Sequence, residues 1–300
     1  MAELARPETP LVAATGRKVT IRDWYVSNFC DEATIHTMMR IQNLLPRYQP
    51  QITRYCEFLS IFGEPPFYTF FIPLIFWVGL TKQAALFCTM MSVTLYFVDN
   101  MKDLFACPRP PCPPLRRAGK DSHGMEYGMP STHTGLGMMC TYHVCLSLNI
   151  MFPHATWIIW LGGASFIIQT ALSRVYLGLH WPADLFFGAF VFAFSWMLQQ
   201  LFVSSFIDFV FASNYLPWYL FVLSHIANSI CVSPKDPCPC YTDTVRFFGA
   251  AAGSTFGGYY AHSFISIIHA RTILSHGEMG QMLFTFRFWL ETFSGFVVIA

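Results

Sequence analysis

From Phe67 onward the chain is a succession of apolar runs parted by short polar or proline-marked breaks, and that pattern excludes most folds. A helix needs about 20 predominantly apolar residues to cross a bilayer. Runs of this kind stand near Phe67–Leu80, Ala84–Val98, Thr132–Phe152, Thr156–Leu172, Ala183–Val203, Asn214–Val232, Val245–Ile268 and Met282–Ala300, the first two being short. Thr81-Lys82-Gln83, Pro153-His154 and the stretch from Ser204 to Ser213 separate some of them. The expectation is an all-α fold, a polytopic transmembrane helical bundle of about eight spans. Lipid contact also accounts for the composition: 12% of the 300 residues are charged, against about 25% in soluble domains, and 54% are hydrophobic.

Residues 1–20, rich in Pro, Ala and charge, read as a disordered tail. Residues 21–60 form an N-terminal amphipathic segment, helix-like through Ile35, Met38, Met39, Ile41, Leu44 and Leu45 and interrupted by Pro46 and Pro50. It would lie along the membrane interface or form a small cytosolic helical pair. Residues 61–300 make the transmembrane domain, with the chemistry-bearing motifs inside 102–184. The first twenty residues lack the apolar core of a cleaved signal peptide, so insertion would rest on the internal spans.

A net charge of +1 with no Lys/Arg run argues against a nucleic-acid partner. Of ten cysteines, Cys88, Cys140, Cys145 and Cys231 sit in apolar runs as small hydrophobes. Cys107/Cys112 and Cys238/Cys240 lie in Pro-rich loops, at spacings that do not make a zinc site; a loop disulfide suits them better. Gly249, Gly253 and Gly257 recur every fourth residue, a face that lets another helix approach closely. His262, His269 and His276 share one helix side, and like His143 they read as packing or interfacial residues. Arg287 and Glu291, four apart, neutralise each other.

Three polar fragments stand against this apolar background. If the second span ends at Met101, the following loop lies on one side; the third span leaves from His133 and the fourth returns to Ser173, on the same side. Segments distant in sequence therefore meet. Lys102, Arg109 and Arg174 supply three positive charges, enough for a phosphomonoester dianion, with the Arg forks matched to its oxygens. In Pro130-Ser131-Thr132-His133 the proline and hydroxyls mark a helix start, whose free N–H groups and positive dipole end suit phosphate. Ser131 adds a hydroxyl donor and His133 a proton. In Ser173-Arg174-(five residues)-His180-Trp181-Pro182-Ala183-Asp184, Pro182 again opens a helix, and Asp184 in its first turn folds back toward His180. A carboxylate on one imidazole nitrogen fixes the tautomer and frees the other as a nucleophile.

Lys102-(six residues)-Arg109-Pro110, Pro130-Ser131-Thr132-His133 and Ser173-Arg174-(five residues)-His180-(three residues)-Asp184 resemble the three signature motifs of the type 2 phosphatidic acid phosphatase superfamily. The usual Gly of the second motif is Thr132 here. With Lys102-Asp103, the stretch from Glu126 to His133 and the stretch from Ser173 to His180, the chain resembles the sphingosine-1-phosphate phosphatase branch over residues 55–200. The resemblance implies that His180 attacks phosphorus, Asp184 orients it, His133 protonates the leaving alkoxide, and Lys102, Arg109, Ser131 and Arg174 bind phosphoryl oxygens. It further implies no metal or other cofactor, long-chain sphingoid base 1-phosphates as substrates, and an endoplasmic reticulum membrane. Members of this branch are often longer, so a C-terminal piece beyond Ala300 is expected.

Two other readings remain: a phosphatase for glycerolipid phosphates such as phosphatidate, and a non-catalytic lipid-binding relative. The latter would be expected to lack a catalytic His or Arg. Glu126 and Tyr127 are candidates to touch an amino headgroup. Orientation is contested. Arg17, Lys18, Arg22, Arg40, Arg47, Arg54, Arg116, Arg117 and Lys120 fall on the expected site side and Lys82 and Arg271 opposite, which places the site in the cytosol. The resemblance implies a lumenal site.

Overall fold

The computed structural model describes residues 20–77, 81–118, 126–212, 222, 225–232 and 240–271. Its helices are α1 (Ile21–Phe29), α2 (Glu32–Gln42), α3 (Gln49–Ile61), α4 (Pro65–Trp77), α5 (Thr81–Phe105), α6 (Thr132–Met151), α7 (Thr156–Tyr176), α8 (Pro182–Leu198), α9 (Ser204–Ala212) and α10 (Cys240–Arg271). The first two begin where capping chemistry directs. Thr20 and Asp23 form a reciprocal capping box on α1, and Asp31 accepts the Thr34 N–H at 2.7 Å on α2.

Helix α5 is the central post. It packs along α10, α6, α8 and α4, while α6 is flanked by α7 and α8, and α3 lies against α7. One core cluster joins α4, α5, α6 and α10 through Tyr68, Phe87, Met90, Met91, Leu136, Met139 and Ala251. A second, built from Tyr25, Met38, Cys107, Leu115, Met129, Val175 and Trp181, ties α1 and α2 to the loop after α5 and the turn before α8. The N-terminal segment thus covers the motif-bearing end of the bundle: Tyr25 and Met38 are fully buried there.

The expected count of about eight spans is not what the structure shows. Among the described residues three helices are long and apolar enough to cross a membrane: Lys82–Phe105, Pro153–Tyr176 and Pro182–Phe209. The number rises to four if Pro46–Ile61 and Pro66–Ile75, bent by 53° at their junction, are one span. Three causes account for the difference. The short runs at Phe67–Leu80 and Ala84–Val98 become a 13-residue helix with an internal proline, Pro73, and the start of the much longer α5. Apolar run length does not separate a helix that faces lipid from one that faces other helices. Helix α6 carries Thr132, His133, Thr134, His143 and Asn149, and it buries His133 through Gly137 against its neighbours; α10 carries Asp243 and Arg246. The run Met282–Ala300 lies outside the described residues, and Asn214–Val232 is described only in part.

Lipid-facing surface is clearest on α7, where Trp157 is 88% and Ile158 76% exposed, and on α8, where Phe186 is 71% exposed. Rings and aliphatic chains this bare require an apolar surround, which gives the chain its integral-membrane character. Helix α8 passes into α9 through a π-helical turn, Gln199–Val203, that brings buried Gln199 to within 3.1 Å of His143 Nε2. That contact supports a packing role for His143. Gly249, Gly253 and Gly257 on α10 meet no described neighbour within 4 Å of where a Cβ would stand, so no described helix uses that face. The side chains of His262 and His269, together with residues 1–19, His276, Arg287 and Glu291, lie outside the described residues.

Candidate active site

Four helix ends converge at one end of the bundle. Helices α5 and α7 finish there with a cation in the last turn, Lys102 and Arg174, and α6 and α8 start there. A helix C-terminus favours positive charge and an N-terminus presents unpaired N–H groups, so each contributes what an anion site requires. The loop after α5 brings Arg109 between them. Its Nε donates to the Glu126 carbonyl at 2.8 Å and its Nη1 to the Leu179 carbonyl at 2.8 Å. Lys102 Nζ is 2.7 Å from Glu126 Oε2, and Arg109 Nη2 is 3.4 Å from the same oxygen.

Asp184 is the third residue of α8, and its carboxylate folds back over the helix start. Oδ2 accepts the Trp181 N–H at 2.8 Å and the His180 Nδ1–H at 3.1 Å. Oδ1 accepts the Tyr25 hydroxyl at 2.5 Å, from α1. Burial first, and then the charge on Asp184, hold the Tyr25 pKa well above its ordinary value, so this group remains a donor. With Nδ1 engaged, His180 turns Nε2 toward Arg109 Nη1, 3.4 Å away. Burial, followed by the charges of Arg109, Lys102, His133 and Arg174, keeps the His180 pKa well below the usual histidine value. The imidazole is therefore neutral at physiological pH, as an attacking nitrogen must be.

A cavity of about 400 Å³ opens between these groups. Lys102, Arg109, His133, Arg174 and His180 line it, so five of the seven expected site residues share one space. The other two stand behind it. Asp184 holds His180, and Ser131 is the N-cap of α6, its Oγ accepting the Thr134 N–H at 3.4 Å and the Thr134 hydroxyl at 3.2 Å. Helix α6 begins at Thr132, so Pro130 precedes the cap rather than opening the helix. Ser131 N–H also donates to the Asp184 carbonyl at 3.0 Å, joining the starts of α6 and α8.

Arg174, with no exposed surface, donates to Ser60 Oγ and to Ser173 Oγ, while its Nη1 has no hydrogen-bond partner among the described residues. An unsatisfied guanidinium nitrogen at the edge of a cavity is placed for a ligand's oxygen. His133, in the first turn of α6, lies over Gly63, where a Cβ would come within 2.6 Å of its Nε2. Gly178, at φ +66°, makes the turn between Arg174 and His180, and a Cβ there would strike the Arg116 carbonyl at 2.6 Å. Among the described residues no group of three or more His, Cys, Asp or Glu could hold a metal ion.

Sequence reasoning missed Tyr25, Ser60 and Gly63. None belongs to a motif, and Tyr25 stands 159 residues from the carboxylate it touches. It also missed Asp99 and Asp243, which line the cavity with Glu126.

Buried cations around an Asp-held imidazole, among helices apolar enough for a bilayer, define a membrane protein built to hold an anionic group. The family model that matches, over residues 83–206, is that of the PAP2 superfamily. The chain is 29% identical over 211 residues to dihydrosphingosine 1-phosphate phosphatase YSR3 of Saccharomyces cerevisiae, covering 66% of this chain and 50% of that protein. It is 31% identical over 214 residues to lipid phosphate phosphatase delta of Arabidopsis thaliana, covering 68% and 51%. It is 25% identical over 292 residues to a probable sphingosine-1-phosphate phosphatase of Dictyostelium discoideum, covering 87% and 70%. The chain thus spans about half the length of the first two relatives, and no solved structure matches it. The chain belongs to the PAP2 superfamily.

Proposed function

We propose that this chain is a membrane-embedded lipid phosphatase that hydrolyses long-chain sphingoid base 1-phosphates to the free base and phosphate through a phosphohistidine. The observation that carries the reading is the placement of His180. Its Nδ1 is held by Asp184, and its other nitrogen reaches the cavity beside Arg109. Lys102, Arg109 and Arg174 take the phosphoryl oxygens and the charge that builds on them. The Nε2 lone pair attacks phosphorus as the ester P–O bond breaks, and His133 delivers a proton to the departing alkoxide. Water then attacks the phosphohistidine, with His133 taking its proton, and phosphate leaves. Ser131 contributes from behind, fixing the start of α6 so that its first N–H groups and His133 face the ligand. Residues 21–60 act as a cover on this site, and residues 61–300 carry the phosphatase domain.

The relatives' names support the sphingoid substrate. Burying a hydrocarbon tail among the helices at about 0.8 kcal/mol per methylene favours a long-chain ester over a soluble one. The setting is the endoplasmic reticulum membrane with the site on the lumenal side. Cys240 lines the cavity and is disulfide-bonded, and disulfides persist in oxidising compartments. His180→Ala is expected to abolish phosphate release from a sphingoid base 1-phosphate while the purified protein keeps its fold. Turnover at the wild-type rate by that variant would defeat the mechanism. Equal wild-type efficiency on phosphatidate would defeat the sphingoid preference.

A further inference from the structure

The wall of the cavity is not uniformly positive. Glu126, Asp99 and Asp243 line it alongside the cations. Glu126 is the most pointed case, because it touches two of the groups proposed to take the phosphate: Lys102 Nζ at 2.7 Å and Arg109 Nη2 at 3.4 Å. Asp99, one turn before Lys102 on α5, stands on the same wall with Oδ2 accepting the Thr244 hydroxyl at 2.7 Å. Arg174 signals an anion independently. It is fully buried, lines the cavity, and has Nη1 without a hydrogen-bond partner among the described residues.

A carboxylate beside a phosphate dianion is costly where solvent is scarce, since like charges close together disfavour one another's ionised forms. If clamping Lys102 and Arg109 were the whole task, a neutral amide would do it without that repulsion. The Glu126 backbone carbonyl already holds Arg109 Nε. The cost disappears when the ligand carries a positive charge within a few bonds of its phosphate. A sphingoid base 1-phosphate has this arrangement, an ammonium on the carbon next to the one that bears the phosphate ester.

We infer that Glu126 is a specificity-determining residue: when the phosphate takes Lys102 and Arg109, the displaced carboxylate pairs with the ammonium of the same substrate. This rests on the phosphatase reading and adds to it the reason an amine-bearing lipid phosphate is chosen over one without an amine. Phosphate and ammonium then trade places with the ion pairs already present, and no charge is left alone in the cavity.

The test compares kcat/KM of the full chain on a long-chain sphingoid base 1-phosphate and on the matching long-chain phosphate monoester that lacks the amine. The wild-type protein is expected to prefer the amine. Glu126→Gln is expected to lower that preference by about tenfold or more, chiefly through KM on the amine substrate, the size of one charge-assisted hydrogen bond. A variant that slows both substrates by the same factor overturns the inference, because Glu126 would then only clamp the cations. If Glu126→Gln does not fold, Glu126→Asp, which keeps the charge and shortens its reach, is read in the same way. Equal wild-type efficiency on the two esters also overturns the inference and leaves the phosphatase reading standing. Turnover of neither ester removes both.

Discussion

One hydroxyl on the first helix completes the hydrogen bonding around the Asp184 carboxylate that holds His180. Tyr25 donates to one oxygen of Asp184 while His180 and the Trp181 N–H use the other, so the carboxylate is held from three sides and cannot rotate. A hydrogen bond to a charged group contributes about 1.5–3 kcal/mol. Tyr25→Phe is therefore expected to lower kcat by about 10- to 100-fold with KM almost unchanged, since the phenyl ring remains to fill its pocket. A rise in KM with kcat intact would place Tyr25 in substrate binding instead. The pH profile belongs to the same scale. The folded-state pKa of His180 lies well below its unfolded value of about 6.5, so the unfolded chain binds more protons there as the pH falls. Stability from this group is complete above that pH and is lost below it. Activity needs the neutral ring, so the acid limb of kcat/KM attributable to His180 is expected below pH ~6.5. A limb at or above that value in a kcat/KM titration would show an unperturbed imidazole.

At the scale of elements, the break between α3 and α4 is part of the cavity wall. Gly63 sits in it, and the ring of His133 occupies the space a side chain would need. Gly63→Ala pushes that ring from its place, and misplacing a catalytic group by about 1 Å costs up to about 100-fold. Phosphate release by the variant is expected to fall at least about tenfold while its thermal unfolding stays close to wild type. Unchanged turnover would mean that the ring has room to move.

Elements also mark the limit of what was readable. The helix-start signals before α6 and α8 were legible because capping is local: Ser131 and Asp184 act on backbone within three residues. The meeting of Lys102, Arg109, His133, Arg174 and His180 followed from the chain running out along α6 and back along α7. Tyr25 and Gly63 were not legible, because a single tyrosine or glycine carries no periodicity and its meaning comes only from a distant partner. The span count failed for a related reason. Met90 and Met139 are as apolar as Trp157 and Ile158, yet the first pair packs against helices and the second faces outward.

At the scale of the whole molecule, the apolar faces of α7 and α8 fix how the bundle stands in a bilayer, and the site lies at the end where α5 and α7 finish. The loop that carries Arg116 and Arg117 is at that end; Arg116 bonds to Gln42 and Arg117 to the Pro110 carbonyl. A glycosylation acceptor inserted beside Ala118 is expected to be modified in microsomes, as the proposed lumenal orientation requires. An unmodified acceptor, with the same loop open to protease from the cytosolic side, would reverse that orientation.

The bond between Tyr25 and Asp184 also sets an order of events. Ribosomes add roughly 5–20 residues per second, and 159 residues separate the two partners. Helix α1 therefore waits roughly 8–30 s after its own synthesis before its acceptor exists. A chain interrupted before α8 emerges carries Lys102, Arg109, His133, Arg174 and His180 without the Asp184 carboxylate that holds the imidazole. The hydrogen bonding behind His180 is complete only when the first helix and one of the later ones close on each other.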